Sequence, residues 1–323
     1  MTNPSNNLQP ANNGFLNLYK PVGITSMEAI RRIKRIVGQR QKVGHGGTMD
    51  PLARGVLPIC LGQGTRLMDY VTGGLKRYLI GVKLGVTTTT YDAEGELVRT
   101  GDVSGLTRQM VESTLQSFIG LIHQTPPMYS AIKVKGQRLY KLARAGIEIP
   151  REAREVEVHS ITVVDYAPPE LVLEVESGKG VYMRSLAHDL GEVLGCGAHV
   201  AALERLSCGV FLAQEGVTLE QLEEAASEPE GWQKHLYPVD WVLRDLKSIS
   251  VGAQAERFLS HGQTINLGRP MSEAGYLEPF RAYSTDGRFL AVVRFDRATQ
   301  EWKPDKVFQI EQQSPYAPIS THS

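Results

Sequence analysis

The chain has 323 residues, 41% hydrophobic and 22% charged, with 35 Lys+Arg set against 35 Asp+Glu. That mixture excludes wholesale disorder and fibrous classes, and the length suits one large domain or two unequal ones. No apolar run approaches the roughly 18 to 20 residues of a membrane span, and Cys60, Cys196 and Cys208 form no CxxC pair, which argues against a disulfide scaffold or Cys-rich zinc site and for a reduced, cytoplasmic setting.

Residues 1–13, rich in Asn, Pro and Ser, read as a disordered tail without the basic start or apolar stretch of a secretory signal. Ser26 is the expected cap of a helix to about Gly38, with Met27, Ile30, Ile33, Ile36 and Val37 at helical spacing. Residues 43–67 read as a glycine-rich loop, and 77–86 as a strand in which Tyr78, Ile80, Val82 and Leu84 alternate with their neighbours. Thr107 opens a second helix carrying Met110, Val111, Leu115, Phe118 and Ile119. Two strands follow at 155–165 and 171–176, then a helix over 183–194 stopped by Gly195. Thr218 and Gln221 have capping-box spacing for one further helix. Beyond about Leu246 the texture changes: a short helix over 253–260, a strand-like 264–267, and strands 280–284 and 289–295 joined by Asp286-Gly287, a hairpin signal. The acidic stretch before this small β module is expected to act as a hinge.

The zero net charge hides a bipolar arrangement. Between residues 14 and 84 twelve Lys and Arg face three acids, Glu28, Asp50 and Asp69. Residues 127–147 add Lys133, Lys135, Arg138, Lys141 and Arg144 without an acid, whereas 215–247 carry eight acids against three bases. Phosphate contacts act locally, so a neutral protein can still offer one face to a polyanion.

The densest unusual segment is VGHGGTMDPLARGVLPICLGQGTRL, residues 43–67, where Gly44, Gly46, Gly47, Gly55, Gly62 and Gly64 imply sharp turns or close approach to a ligand. It contains no G-x-x-x-x-G-K-[ST] phosphate cradle. His45 and Asp50 are too poor a set to hold a metal, and no G-x-S-x-G or Ser-centred triad can be assembled. Asp50, before Pro51, is either a turn former or a nucleophile or base that a cation keeps ionised. Arg184, at a strand-to-helix junction, is a candidate for that cation.

These residues resemble the TruB-type tRNA pseudouridine synthases. GHGGTMDP with LARGVLPICLG is similar to that family's catalytic motif, and other blocks follow in order. They are KPVGITS from Lys20, KRY from Lys76, YDAEG from Tyr91, PPMYSAIK with residues 136–146, KGVYMR from Lys179, and GCGAHVAALERL from Gly195. Gly46, Gly178 and Glu204 depart from the family's usual residues, which are Thr, Ser and a basic residue respectively.

The resemblance implies isomerisation of uridine 55 in the tRNA T loop to pseudouridine. No cofactor and no metal are implied. Asp50 would be the essential aspartate, acting on the ribose by C1′ attack or through a glycal. Arg184 would be its ion-pair partner, and Tyr78 the tyrosine that stacks on uracil and takes the C5 proton. His45 would fill the space left by the flipped nucleotide, Tyr182 and Leu203 would line the pocket, and Lys20 would support its floor. Lys133 and Arg144 belong to an RNA-gripping thumb loop over about 127–150. The implied fold is α+β: a catalytic domain over 14–247 around a mixed, mostly antiparallel sheet, a small PUA-like β domain over 248–315, and a tail over 316–323. The implied partner is tRNA, held by its T arm, with the acceptor stem as the contact expected of the terminal module. A stand-alone, cytoplasmic monomer without guide RNA is expected.

Overall fold

Strand-forming segments far apart in the sequence meet in one ten-stranded sheet. From edge to edge its path runs Leu236–Tyr237, Gly14–Lys20, Ala53–Leu61, Ala198–Cys208, Lys76–Leu84, Glu170–Ser177, Arg154–Ala167 and Gly120–Gln124, with Val43–His45 and Phe211–Leu212 paired at its side. All these pairings are antiparallel except one, between Ala53–Leu61 and Ala198–Cys208, where Leu203 lies opposite Ala53 and Glu204 opposite Arg54. The computed structural model describes residues 12–130, 132–134, 136–228, 231–268, 275 and 277–318.

Alternation sends the two faces of the central strands into different cores. Leu16, Leu18, Leu57, Ile59 and Leu61 pack with Ile30 and Ile33 of the Ser26–Val37 helix, Leu186 and Leu190 of the Met183–Val193 helix, and Leu219 and Leu222 of the Leu219–Ala225 helix. Phe15, Val56, Cys60 and Cys208 face the other way, against Val239, Leu243, Tyr283 and Phe289. Each such side chain, buried, contributes on the order of 1.5–3 kcal/mol. The three cysteines are free and buried.

The second core joins the large sheet to a smaller one of Ser248–Val251, Pro279–Ser284, Phe289–Asp296 and Glu301–Val307. The smaller sheet also has a core of its own, with Trp302, Phe280 and Leu259. A buried polar network adds to the joint: the Tyr283 hydroxyl donates to Asp240 at 2.5 Å, Ser314 donates to the same carboxylate, and Arg281 reaches Tyr283 at 3.1 Å.

Several expectations need correction. The first helix is capped by Thr25, whose hydroxyl accepts from the Glu28 amide, while Ser26 turns inward and exchanges hydrogen bonds with the Met49 backbone. The 43–67 segment is not all loop, since residues Ala53–Leu61 form a central strand. The acidic stretch is packed rather than hinge-like: Leu219 and Leu222 are in the main core, and Arg32 pairs with Glu220 and Glu223. The 264–267 strand reduces to a single bridge between Ile265 and Trp302. At the expected tails, Asn12 accepts from Gln41 and Asn13 from the Gln63 amide, while Tyr316 packs its ring 5.4 Å from Trp241. Residues 1–11 and 319–323 lie outside the described residues.

Candidate active site

Asp50 ends the glycine-rich turn just before the Ala53–Leu61 strand, and the Asp50 carbonyl closes that turn on the Ala53 amide at 3.1 Å. Arg184 opens the Met183–Val193 helix across the site. Its Nη2 donates to Asp50 Oδ1 at 3.0 Å, and its Nε stands 2.9 Å from Oδ2 as an ion contact. The arginine side chain is only 4% exposed, but the Asp50 side chain keeps 32%, so the carboxylate remains open to a ligand on one side. Burial raises the Asp50 pKa above the ordinary carboxylate value. The Arg184 charge opposes that shift, the Asp92 charge adds to it, and Lys20 helps Arg184.

Arg184 does more than pair with Asp50. Nη2 donates to the Tyr129 carbonyl at 2.7 Å, Nη1 donates to the Thr90 carbonyl at 3.3 Å, and Nη1 lies 3.3 Å from Asp92 Oδ2. Asp92 is 3% exposed and also accepts from the Thr90 hydroxyl and the Glu94 amide. Its turn contains Tyr91 at a φ of 62°, a conformation a non-glycine residue rarely holds, and the Tyr91 ring stacks on His188 with centroids 3.8 Å apart. One guanidinium therefore bridges two carboxylates and two carbonyls drawn from three separate chain segments.

Lys20 is wholly buried, with Nζ donating to the Pro21 and Ile24 carbonyls at 2.7 and 2.8 Å. Burial pulls its pKa down to about 8 against the raising effect of Asp50. Tyr78, half-buried on the Lys76–Leu84 strand, lies opposite Arg205 in register. Burial raises its pKa, and the positive charge of Arg205 lowers it. His45 sits at the start of the glycine-rich turn with a buried Nδ1 that has no hydrogen-bond partner; burial and Arg205 both lower its pKa. Tyr182 is clamped at its backbone by Gln124, which accepts from its amide at 2.7 Å and donates to its carbonyl at 3.0 Å. Leu203 is 9% exposed between Ala53 and Ile80.

The structure thus brings Asp50, Arg184 and Lys20 into one electrostatic cluster, with Tyr78 and His45 coupled to it through Arg205. The side chains of Lys133 and Arg144, and all of Lys135, fall outside the described residues. Sequence reasoning left two members of the cluster without a role, Asp92 and Arg205. For Arg205 a signal existed, because Leu203, Arg205 and Ser207 share the inward parity of their strand. A cavity of about 440 Å³ between Tyr70, Leu75, Phe211 and Val242 lies apart from this cluster and shares none of these residues.

The three departures have physical counterparts here. Glu204 accepts from Tyr19 at 2.8 Å and from Arg54 at 2.9 Å, so a basic side chain is still presented where the acid stands. A Cβ on Gly178 would meet only ordinary contacts, nearest the Glu157 carbonyl at 3.6 Å. A Cβ on Gly46 would come within 2.3 Å of Val71 Cγ1, because Val71 occupies the space a larger residue would take. Gly46→Thr is therefore expected to lower stability by about 1–3 kcal/mol in urea unfolding. Adding Val71→Ala should recover most of that loss, a coupling that a double-mutant cycle measures directly.

Solved structures with this fold include a Cbf5-Nop10-Gar1 complex (TM-score 0.67, 24% identity, 93% of this chain and 84% of that one). An H/ACA RNP bound to a substrate RNA containing 2'-deoxyuridine matches similarly (TM-score 0.69, 22% identity, 95% and 88%). At these identities the likeness shows the fold alone, a mixed α+β architecture around one large sheet. Residues 34–183 match the model of the TruB family pseudouridylate synthase N-terminal domain, and 184–244 that of the tRNA pseudouridylate synthase B C-terminal domain. The tRNA pseudouridine synthase B of Nitrosococcus oceani is 46% identical over 261 residues, covering 80% of this chain and 84% of that protein. Those of Clostridium perfringens and Dehalococcoides mccartyi are each 40% identical, covering 88% and 92% of this chain, and 95% and 96% of their own lengths. The chain belongs to the TruB family of pseudouridylate synthases.

Proposed function

We propose that the protein converts uridine 55 of the tRNA T loop to pseudouridine, with Asp50 acting on a flipped-out nucleotide. The observation that carries this reading is the Asp50–Arg184 pair, a part-exposed carboxylate held at two points by a buried guanidinium, in a chain of this family. A carboxylate oriented by a rigid fork is poised to act on one atom, and removing water around the pair strengthens its electrostatics.

The target base is extruded from its stack, at a cost of a few kcal/mol, and stacks on Tyr78. The bond from C1′ to N1 breaks and uracil leaves with the electron pair. C1′ is meanwhile bonded to Asp50, or the sugar becomes a glycal by losing its C2′ proton. The uracil turns and bonds C1′ through C5, which releases the Asp50 oxygen with its bonding pair in the first route, or is accompanied by return of the proton to C2′ in the second. The C5 hydrogen departs as a proton to the Tyr78 phenolate, which hands it on, and N1 gains one proton in exchange, so the net transfer is from C5 to N1. Atoms and electrons balance within one nucleotide, so the reaction calls for no redox partner. Lys20 holds the floor beneath Asp50, Tyr182 and Leu203 wall the pocket, and His45 occupies the stack in place of the flipped base.

The tRNA is held through its T arm without a guide RNA. The exposed basic residues Arg31, Arg35 and Arg40 on and after the first helix offer phosphate contacts, with the thumb segment 127–150 closing on the RNA. The small sheet serves as a PUA-like module toward the acceptor stem. Neutralising Lys133, Lys135 and Arg138 together is expected to flatten the salt dependence of tRNA affinity, by a slope change of roughly two to three. An unchanged slope would remove the segment from the phosphate contacts.

The deciding experiment is tritium release from an unmodified tRNA transcript labelled at uridine C5, beside a transcript with cytidine at position 55. Release that requires the target uridine supports the reading. Release from both transcripts alike moves the target elsewhere, and tight binding without release leaves an RNA binder on a synthase scaffold.

A further inference from the structure

Arg205 is 2% exposed, and among the described residues no carboxylate is in ion-pair contact with it. That is unusual, because a buried guanidinium is costly unless it is paired. Its partners are carbonyls instead: Nε donates to Val56 at 2.6 Å and Nη2 to Gly47 at 3.2 Å. Val56 belongs to the Ala53–Leu61 strand, and Gly47 to the turn that leads from His45 to Asp50. A Cβ on Gly47 would sit 3.5 Å from Nη1, so the turn lies directly on the guanidinium. On the other side Gly55, at a φ of 103°, lets the two central strands close in; a Cβ there would come within 2.3 Å of the Arg205 carbonyl. Across the sheet, Arg205 is in register with Tyr78.

We infer that Arg205 is a positioning residue of this site: it straps the Asp50 turn to the sheet and stands as a fixed positive charge against the Tyr78 hydroxyl. The inference rests on the function proposed above, in which Tyr78 takes the C5 proton. A cation beside a phenol stabilises the phenolate, and the charge acts here in that direction, against burial and against the negative charge of Asp50. The same charge also lowers His45, Lys20 and Lys76, the other titratable groups around it. A structural strap needs only a donor to two carbonyls; the charge, together with hydrogen bonding from the guanidinium, is what bears on Tyr78.

The test compares wild type with Arg205→Gln and Arg205→Lys, using single-turnover tritium release from about pH 6 to pH 10, tRNA binding and thermal melting. Arg205→Gln is expected to bind tRNA within about threefold of wild type and to react roughly 10- to 100-fold more slowly. Its rate should rise with pH along a limb displaced to higher pH, the direction set by losing a cation beside the phenol. Arg205→Lys keeps the charge without the fork, so its limb should stay in place while the rate falls. An unmoved limb in folded Arg205→Gln overturns the inference whatever the rate. Should that variant not fold, Arg205→Lys decides: wild-type kcat overturns the inference, and reduced kcat at unchanged KM supports it. An active wild type beside an unaffected variant removes this inference alone, whereas an inactive wild type removes the proposed function and this inference with it.

Discussion

Asp50→Asn is expected to abolish pseudouridine formation while tRNA binding stays within about tenfold of wild type. The amide matches the carboxylate in shape and can still accept from Arg184, so the turn before Ala53 keeps its geometry. What it loses is the charge and the nucleophilic oxygen, and neither ribose attack nor proton removal by the carboxylate survives that exchange. Arg184 keeps Asp92 and the Tyr129 and Thr90 carbonyls, so the buried guanidinium is not stranded. Tritium release read beside filter binding checks both halves of the statement. Substantial product from the variant would sink the assignment of Asp50.

Arg184→Lys is expected to lose most of the rate, roughly 100-fold or more. The guanidinium meets Asp50 and Asp92 and two carbonyls at 2.7 to 3.3 Å. A single ammonium on a flexible stem cannot meet four acceptors at those angles, so Asp50 would turn in its socket and Asp92 would lose a close counter-charge. With both Arg184 and Asp92 side chains only 4% exposed, Arg184→Met should be worse in a second way. Removing one partner of a buried pair costs on the order of 3–5 kcal/mol, to be read as a fall in the unfolding midpoint. Near-wild-type kcat in Arg184→Lys would refute the positioning role, and an unchanged midpoint in Arg184→Met would refute the structural one.

The elements legible in the sequence were those with one wet face. The Arg154–Ala167 and Glu170–Ser177 strands alternate polar and apolar, and the Thr218–Gln221 capping box forms as its spacing implies. The Gly14–Lys20 and Ala53–Leu61 strands were not legible as strands, because both of their faces are covered, while Ala198–Cys208 was masked by two register shifts that break its alternation. Burial on both sides replaces alternation by a nearly continuous apolar run, and the glycines of residues 43–67 read as loop signals. Gly55 is in truth a point of close strand approach.

At the site, the motif blocks led to Asp50, Tyr78 and Arg184, and the structure places Arg184 on Asp50. Asp92 lay inside a recognised block yet was given no role, since nothing local reveals that its carboxylate meets a guanidinium far along the chain. Thr25 and Ser26 are both good caps by type. Only the inward packing of Ser26 onto Met49 separates them.

The single parallel pairing at the middle of the sheet has a consequence for how the chain reaches its native state. Arg54 meets Glu204 across 150 positions and Arg184 meets Asp50 across 134. Such contacts require long loops to close before they return any favourable energy, which slows folding. During synthesis the Asp50 turn therefore leaves the ribosome long before its Arg184 partner and before the Ala198–Cys208 strand that completes the sheet between Ala53–Leu61 and Lys76–Leu84. A nascent chain cut at residue 183, where the two matched family models meet, would carry the carboxylate without its arginine and the sheet without its central strand.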